Sequence, residues 1–309
     1  SLRSKAHHDN LDVVLNWNND TQSTFYGELN TSTAFSRTAD EGALLMHTHI
    51  NPSTLIFNDT IWQMKPANLT VADKRVEVHN FEISHAPQYI LIDGVASDQE
   101  NDLLNIQLND VDLDYIFGTL NIKHVSFGGN ATGNLVASHL FTPAPRLSTE
   151  QFDVRNFAYN GAVFGDLHLF SMWDNDNQGI LMKGFVENPE EKQTYIDGYI
   201  FPTRDSLALS FDPDRLNIAF LQPFVETVMT DVSGVASGHI DFYGNFKALN
   251  VTGDAYVENF NFGIGYLNTR YTLTDSIHFS PTRIWFDNVT VYDKLRHTAK
   301  GSGWLSHHN

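Results

Sequence analysis

His47 and His49, in the stretch Met46-His47-Thr48-His49, stand two residues apart. On a β-strand that spacing puts both imidazoles on one face, the arrangement with which two histidines chelate a divalent metal. A metal site needs further donors, and none lies close in sequence, so the pair reads as the polar face of an exposed strand. His307 and His308 sit in a polar stretch and carry still less. The run Asp174-Asn175-Asp176-Asn177-Gln178-Gly179 begins like a calcium loop, with oxygen donors alternating ahead of a glycine. The position that must deliver the bidentate carboxylate is Phe185, so the run reads instead as a polar hairpin turn.

Glu190 and Glu191 form a carboxylate pair of the kind glycoside hydrolysis uses, but they lie in a loop composition, and nothing separates them from the 37 acidic residues of the chain. There is no Gly-x-Ser-x-Gly elbow, His-Glu-x-x-His pair or phosphate-binding Walker loop. Gly263 and Gly265 lack the third glycine and the following helix of a dinucleotide site. The sequence therefore predicts a chain without catalysis, metal or cofactor.

Composition narrows the classes further. The 309 residues carry 19 Lys and Arg against 37 Asp and Glu, a net charge of -18. Such a balance argues against nucleic acid or an anionic membrane surface as partner, since both reward clustered cations. The absence of cysteine excludes disulfides, thiol nucleophiles and thiolate-bound metals. No apolar run approaches the roughly 18–20 residues that span a bilayer, so the chain is read as soluble as it stands. Its polar ends, "SLRSKAHH" and "WLSHHN", fit a piece of something longer. Triplets such as Asn68-Leu69-Thr70 and Asn288-Val289-Thr290 are frequent by chance in so Asn-rich a sequence, and no glycosylation is inferred from them.

The elements that would position any site are mostly strands. Leu104, Ile106 and Leu108, then Leu207, Leu209 and Phe211, then Ile284 and Phe286 alternate with other residues, which places each set on one face. Turn-forming clusters separate such runs about every ten residues: "LTVADKRV" around Asp73, "WDNDNQG" around Asp176 and "SFDPDRL" around Pro213. Two segments switch to helical spacing. Over 112–120, Leu113, Ile116, Phe117 and Leu120 share one face behind Asp112 as N-cap; over 220–230, Phe220, Leu221, Phe224, Val225, Val228 and Met229 do so, with Pro223 in the first turn. The predicted class is all-β with a few short helices, a curled, groove-forming sheet built from tandem diverged units: an N-terminal β region over 1–102, a first unit over 103–210 and a second over 211–309.

The tandem reading rests on repeats. Each predicted helix is followed by a Gly-x-x-x-Gly stretch read as a turn, Gly129 to Gly133 and Gly234 to Gly238, and the two stretches lie 105 residues apart. One phrase also recurs: Val78-His79-Asn80-Phe81, Val154-Arg155-Asn156-Phe157 and Val257-Glu258-Asn259-Phe260. Its second position varies between His, Arg and Glu, so no shared reaction depends on it. Val, Asn and Phe suit a strand that buries Val, bulges at an Asn of unusual φ, and buries Phe after the shift. The apolar stripes have two readings, a dry core against a second sheet or a groove for acyl chains, and the two demand the same residues.

With these pieces in view, the run "LNDVDLDYIFGTLNIKHVSFGGNATGNL" through "VRNFAYNGAVFGDL", and again from "LNIAFLQPFVETVM" through "GNFKALNVTGDAYVENF" and "DSIHFSPTRIWFDNVTVYD", resembles the TamB branch of the AsmA-like family in its Bacteroidetes form. Phe286-Asp287-Asn288-Val289 in that run reuses the Phe, Asn and Val of the repeated phrase in another order. The resemblance covers about residues 103–309 and, in general character, residues 1–102. It implies an envelope protein of a Gram-negative bacterium, anchored in the inner membrane, whose β-taco body crosses the periplasm. It further implies phospholipid carried toward the outer membrane along an apolar groove, and support of outer-membrane protein assembly through an Omp85-type partner. The family's membrane helix and partner-facing domain are not found in this sequence, and the two short helices interrupt a continuous taco. A periplasmic or extracellular binding or adhesion module, and a glycan-active β-enzyme, are the alternatives that remain.

Overall fold

A computed structural model describes residues 1–18, 25–38, 42–57, 60–115, 126–190, 192–227, 229–246, 248–265 and 268–306. It is nearly all-β, and the strand pairings among the described residues are antiparallel. The chain divides into two compact units, Ser1–Asn121 with Asn130–Phe152, and Ile122–Gly129 with Asp153–Asn309. No helix among the described residues is long and apolar enough to cross a membrane.

In the first unit, β1 (Leu2–His7), β2 (Asn10–Asn18) and β3 (Phe25–Arg37) form a meander. The long β3 then forks. Its later residues pair with β4 (Leu44–Ile50) and its earlier ones with β5 (Ser53–Phe57). One branch passes from β4 to β7 (Ala67–Ala72), the other from β5 to β6 (Thr60–Met64), and both meet β8 (Arg75–His85). Ile50, Leu55, Trp62, Met64 and Ala67 are all buried around that fork, and Trp62 is 1% exposed. The ladder continues through β9 (Gln88–Ser97) and β10 (Leu104–Asp112) to β11 (Phe127–Ser138).

The second unit includes β12 (Arg146–Tyr159) from Asp153 onward. Strands β13 (Ala162–Asp174), β14 (Gly179–Glu187), β15 (Gln193–Phe201) and β16 (Ser206–Asp212) pair in order. β16 then pairs with β18 (Thr230–Asn245), which is followed by β19 (Ala248–Ile264), β20 (Thr269–Ser280), β21 (Arg283–Asp293) and β22 (Thr298–Ser306). The Asp174 and Asp73 clusters close hairpins, as their turn chemistry predicts.

Three expectations need correction. The Pro213 cluster does not reverse the chain: β17 (Leu216–Asn217) continues along the same partner, β18, beyond β16. Pro213 has no N–H to give to the ladder and Arg215 takes φ 54, so the cluster is a break within one strand line. The Gly-x-x-x-Gly stretches are not turns either, because Gly129 and Gly133 lie inside β11 and Gly234 and Gly238 inside β18. Third, the helix predicted over 220–230 is a shorter segment set earlier, a 3-10 turn at Ile218–Leu221 running into an α-turn at Gln222–Val225, with Pro223 in the first turn as the sequence implies. The side chain of Asn217 accepts from Ala219 N at 3.0 Å and starts it. Of the helix predicted over 112–120, residues 113–115 are helical behind Asp112, whose carboxylate accepts from Asp114 N at 2.9 Å; residues 116–120 lie outside the described residues.

The repeated phrase is a bulge. Asn80, Asn156, Asn259 and Asn288 all lie in the left-handed region, at φ 54, 51, 50 and 51. The strand registers slip between Val78 and Phe81, between Val257 and Phe260, and between Phe286 and Val289. The slip lets apolar residues on both sides of the Asn point inward, although they stand three apart, while the two between them face water: Val78, Val154, Val257 and Val289 are buried and all four Asn are exposed. Each Asn N–H, pushed off the ladder, finds a side-chain oxygen on the next strand: Asp93 at 2.9 Å, Asp166 at 2.8 Å, Thr274 at 3.0 Å and Ser302 at 2.9 Å. Asp110, at φ 53, repeats the device with Thr132 Oγ1, between buried Leu108 and Val111.

The glycines complete it. A Cβ on Gly234 would stand 2.7 Å from Asn259 O and 2.9 Å from Glu258 O, and one on Gly129 would stand 2.7 Å from Arg155 O and 2.9 Å from Asn156 O. Both glycines are therefore the space into which a bulged neighbour swings its carbonyls.

Candidate functional site

Directly opposed residues of an antiparallel ladder share a face, so the registers of the second unit sort its side chains into rows across the strands. One row runs Ile196, Phe211, Ile240, Gly253, Phe279, Ile284 from β15 to β21. A parallel row runs Met182, Gly198, Leu209, Phe242, Val251. Between them on the other face lie Lys183, Asp197, Ser210, Asp241 and Thr252. One face of this sheet is thus apolar across many strands, with Phe211 and Phe242 meeting edge to face at 5.4 Å.

Part of that face is closed. Ile218 packs in a buried cluster with Val232, Ala236, Ala255, Val257, Phe262 and Leu273, against which Leu221, Val225 and Met229 also pack. The helical segment is tied there by Gln222, whose side chain donates to Met229 O and accepts from Val232 N, both at 2.9 Å. Its Phe220 reaches the rings of Tyr159 at 6.2 Å and Phe164 at 5.2 Å, on β12 and β13. The sheet of the second unit therefore curls, bringing β12–β13 and β18–β20 to one apolar plug.

Away from the plug the face is only half covered. Leu207, Leu209, Phe211, Ile284 and Phe286 are all half-buried. In the first unit Leu104 and Ile106 are half-buried as well, and Ile106 lies opposite Ile92 and Leu135; Leu108, 6% exposed, is the one sealed member of the eight stripe residues. A dry sandwich core would seal such residues as it seals Val289, at 0%.

The opposite face carries the chain's polar chemistry. His239 on β18 lies opposite Asp254 on β19, which lies opposite His278 on β20, which lies opposite Trp285 on β21. His239 Nδ1 pairs with Asp212 Oδ1 at 2.5 Å, His278 Nδ1 pairs closely with Asp254, and the His278 ring stacks on Trp285 at 5.2 Å. The Asp212 bond holds the His239 imidazole above its ordinary value, against the opposing effect of burial and with the charge of Asp241 in support. These are cross-strand pairs that steady a solvated face.

The other sequence candidates are consumed by local structure. His47 Nδ1 meets Thr70 Oγ1 at 3.2 Å and His49 Nδ1 meets Asn68 Oδ1 at 2.9 Å, both on an exposed face. No group of three His, Asp or Glu able to hold a metal ion converges among the described residues. Asp174 turns its carboxylate inward on its own loop, accepting from the side chain and backbone of Asn177, from Tyr199 Oη at 2.9 Å and from Asp176 N at 2.8 Å. Those donors, the Asn177 side chain foremost, hold it down at about 2. Glu190 pairs with Arg215 Nε at 2.7 Å; Glu191 and His307–His308 lie outside the described residues.

Asp114 is pushed up by burial and by the charge of Asp112, a feature the sequence reading missed. It also missed a depression of about 440 Å³ in the second unit, lined by Asp231, Asn261, Arg270 and Lys294 among others. These residues span three strands and a turn, and no local pattern joins them. Comparison of the chain with protein-family models, curated proteins and solved structures gave no match.

Proposed function

We propose that this chain is a non-catalytic segment of a bacterial envelope protein that shields phospholipid acyl chains from water along the apolar face of its β-sheet. The observation that carries the reading is the state of the stripe residues: rows continuous across strands, apolar, and half-buried rather than sealed. An acyl chain laid on Leu207, Leu209 and Phe211 would gain roughly 25 cal/mol per Å² of apolar area removed from water. The polar face, with its His–Asp pairs, would stay solvated. The resemblance to the TamB branch supports the same reading, and with it a periplasmic setting. The helical plug sets where an acyl chain has to stop, since Ile218, Val232 and Val257 already fill that part of the face.

The test is lipid recovery. The chain, exported to the periplasm of a Gram-negative host and purified without detergent, should yield phospholipid on organic extraction and mass spectrometry. Leu209→Glu, which sets a charge in the row without touching the plug, should cut the recovered lipid severalfold. Recovery of no lipid from the parent chain, or of equal lipid from both, would leave the binding-module reading in its place.

A further inference from the structure

We infer that the depression at the end of strands β18–β20 in the second unit is a binding site for a phosphate group, either free or borne by an amphiphile. Its walls are Asp231 and Ser233 of β18, Asn261 and Phe262 of β19, Arg270, Tyr271 and Thr272 of β20, and Lys294 of the turn after β21; it encloses about 440 Å³. That volume lies in the range of small-ligand sites.

The backbone makes the hollow. β18 slips register on β19 twice, between Thr230 and Ser233 and between Ser233 and Val235, with Asp231 in the left-handed region at φ 55. The Asn259 bulge adds a slip in β19 itself. Ser233, between the two slips of β18, lies directly opposite Asn261, which lies directly opposite Thr272.

The chemistry follows from a count of donors and acceptors. Two acceptors in the hollow are already engaged: Asn261 Oδ1 takes the Thr272 hydroxyl at 2.5 Å, and Asp231 Oδ2 takes Arg270 Nη2 at 2.6 Å. Donors are in excess, because Arg270 gives one nitrogen to Asp231 and the remainder of its fork, with the Lys294 ammonium, has no acceptor among the described residues. Two cations stand against one carboxylate, on a chain whose overall charge is -18. A site rich in donors and locally positive suits a ligand that only accepts, and a guanidinium fork beside an ammonium suits phosphate. A metal cation meets the wrong charge there, and a neutral saccharide brings hydroxyl donors with few acceptors to receive them. Phe262 and Tyr271 also line the depression, with their side chains on the face of the buried cluster, opposite to that of Arg270 and Thr272. As a lipid headgroup site it rests on the function proposed above; as a free-phosphate site it stands without it.

The test is a nuclear magnetic resonance titration of the isotopically labelled chain with three probes: inorganic phosphate, a short-chain phosphatidylglycerol below its micelle concentration, and the matching diacylglycerol. Phosphate-bearing probes should shift the backbone amides of Asp231, Arg270 and Lys294, and the diacylglycerol should not. Arg270→Ala with Lys294→Ala should weaken that binding at least tenfold. Asp231→Ala should tighten it, because the competing carboxylate is gone; a cation or saccharide site would weaken instead. Binding of both phosphate probes assigns a headgroup site, and of inorganic phosphate alone a free-phosphate site. The site is refuted by absence of shifts with either, by a double variant that binds as the parent does, or by weaker binding in Asp231→Ala. Lipid recovery that persists in the double variant separates failure of this site from failure of the lipid reading.

Discussion

Replacing Gly234 by alanine tests whether the bulges are built as argued. Gly234 has φ 133, a conformation that L side chains rarely adopt. Strain of that kind costs of order 1–3 kcal/mol. The added methyl would also stand 2.7 Å from Asn259 O and 2.9 Å from Glu258 O, both backbone atoms that cannot rotate away. To make room, β19 must give up the swing of its carbonyls, and with it the bond from Asn259 N to Thr274 Oγ1. The effect should therefore reach β20 although the substitution is on β18. Gly301→Ala is the matched control, since nothing lies within 4 Å of its added Cβ and its φ is ordinary; it should change stability by no more than about 0.5 kcal/mol. Amide hydrogen exchange is the assay of choice, because a chain of two compact units need not unfold in one step. Gly234→Ala should lower protection at Asn259, Phe260 and Leu273 by a factor of about ten or more, at roughly 1.4 kcal/mol per tenfold. Unchanged protection there, or equal loss in Gly301→Ala, would refute the bulge account.

Other outcomes follow from the same geometry. Asn259→Gly should be tolerated and Asn259→Val should cost about 1–2 kcal/mol more by thermal unfolding, because only the former accepts φ 50 without strain. Val289→Ala, in a site 0% exposed, should cost about 2 kcal/mol, and Leu209→Ala, half-buried, clearly less; equal losses in denaturant titrations would mean that Leu209 is sealed. His239, held above its ordinary value chiefly by Asp212, should contribute stability that is full below pH 6.5 and fades as pH rises through its elevated folded value; His239→Gln should flatten that slope, read by unfolding at stepped pH. Asp174, held at about 2, should keep the β13–β14 turn ordered from neutral pH down to that value, with its support complete above 3.8, and added calcium should not shift its carboxylate resonance.

The alternation of Leu207, Leu209 and Phe211 told the strand and the shared face directly, because side-chain period is a local property. The Asn of the repeated phrase could be read as a bulge for a similar reason: few other residues tolerate its φ, and its recurrence marks a recurring backbone need. The Gly-x-x-x-Gly stretches misled, since glycine signals positive φ or close approach without saying which. Gly129 and Gly234 serve the bulge of a neighbouring strand, a partnership invisible until register is known. Pro213 misled likewise, because a strand break and a hairpin ask for the same residues. The depression around Arg270 lay beyond reach altogether: Asp231 and Lys294 come together only through the pairing of β18 to β21.

The central claim is that the face bearing Leu209 accepts acyl chains while the face behind it does not, and a photo-reactive amino acid placed at single positions in the living cell tests it most directly. Leu209 lies in the apolar row; Ala208, its neighbour on β16, is exposed on the polar face opposite Tyr243. The account predicts, after irradiation, a phospholipid adduct by mass spectrometry at position 209 and none at 208. Adducts at both positions alike, or at neither, would contradict it.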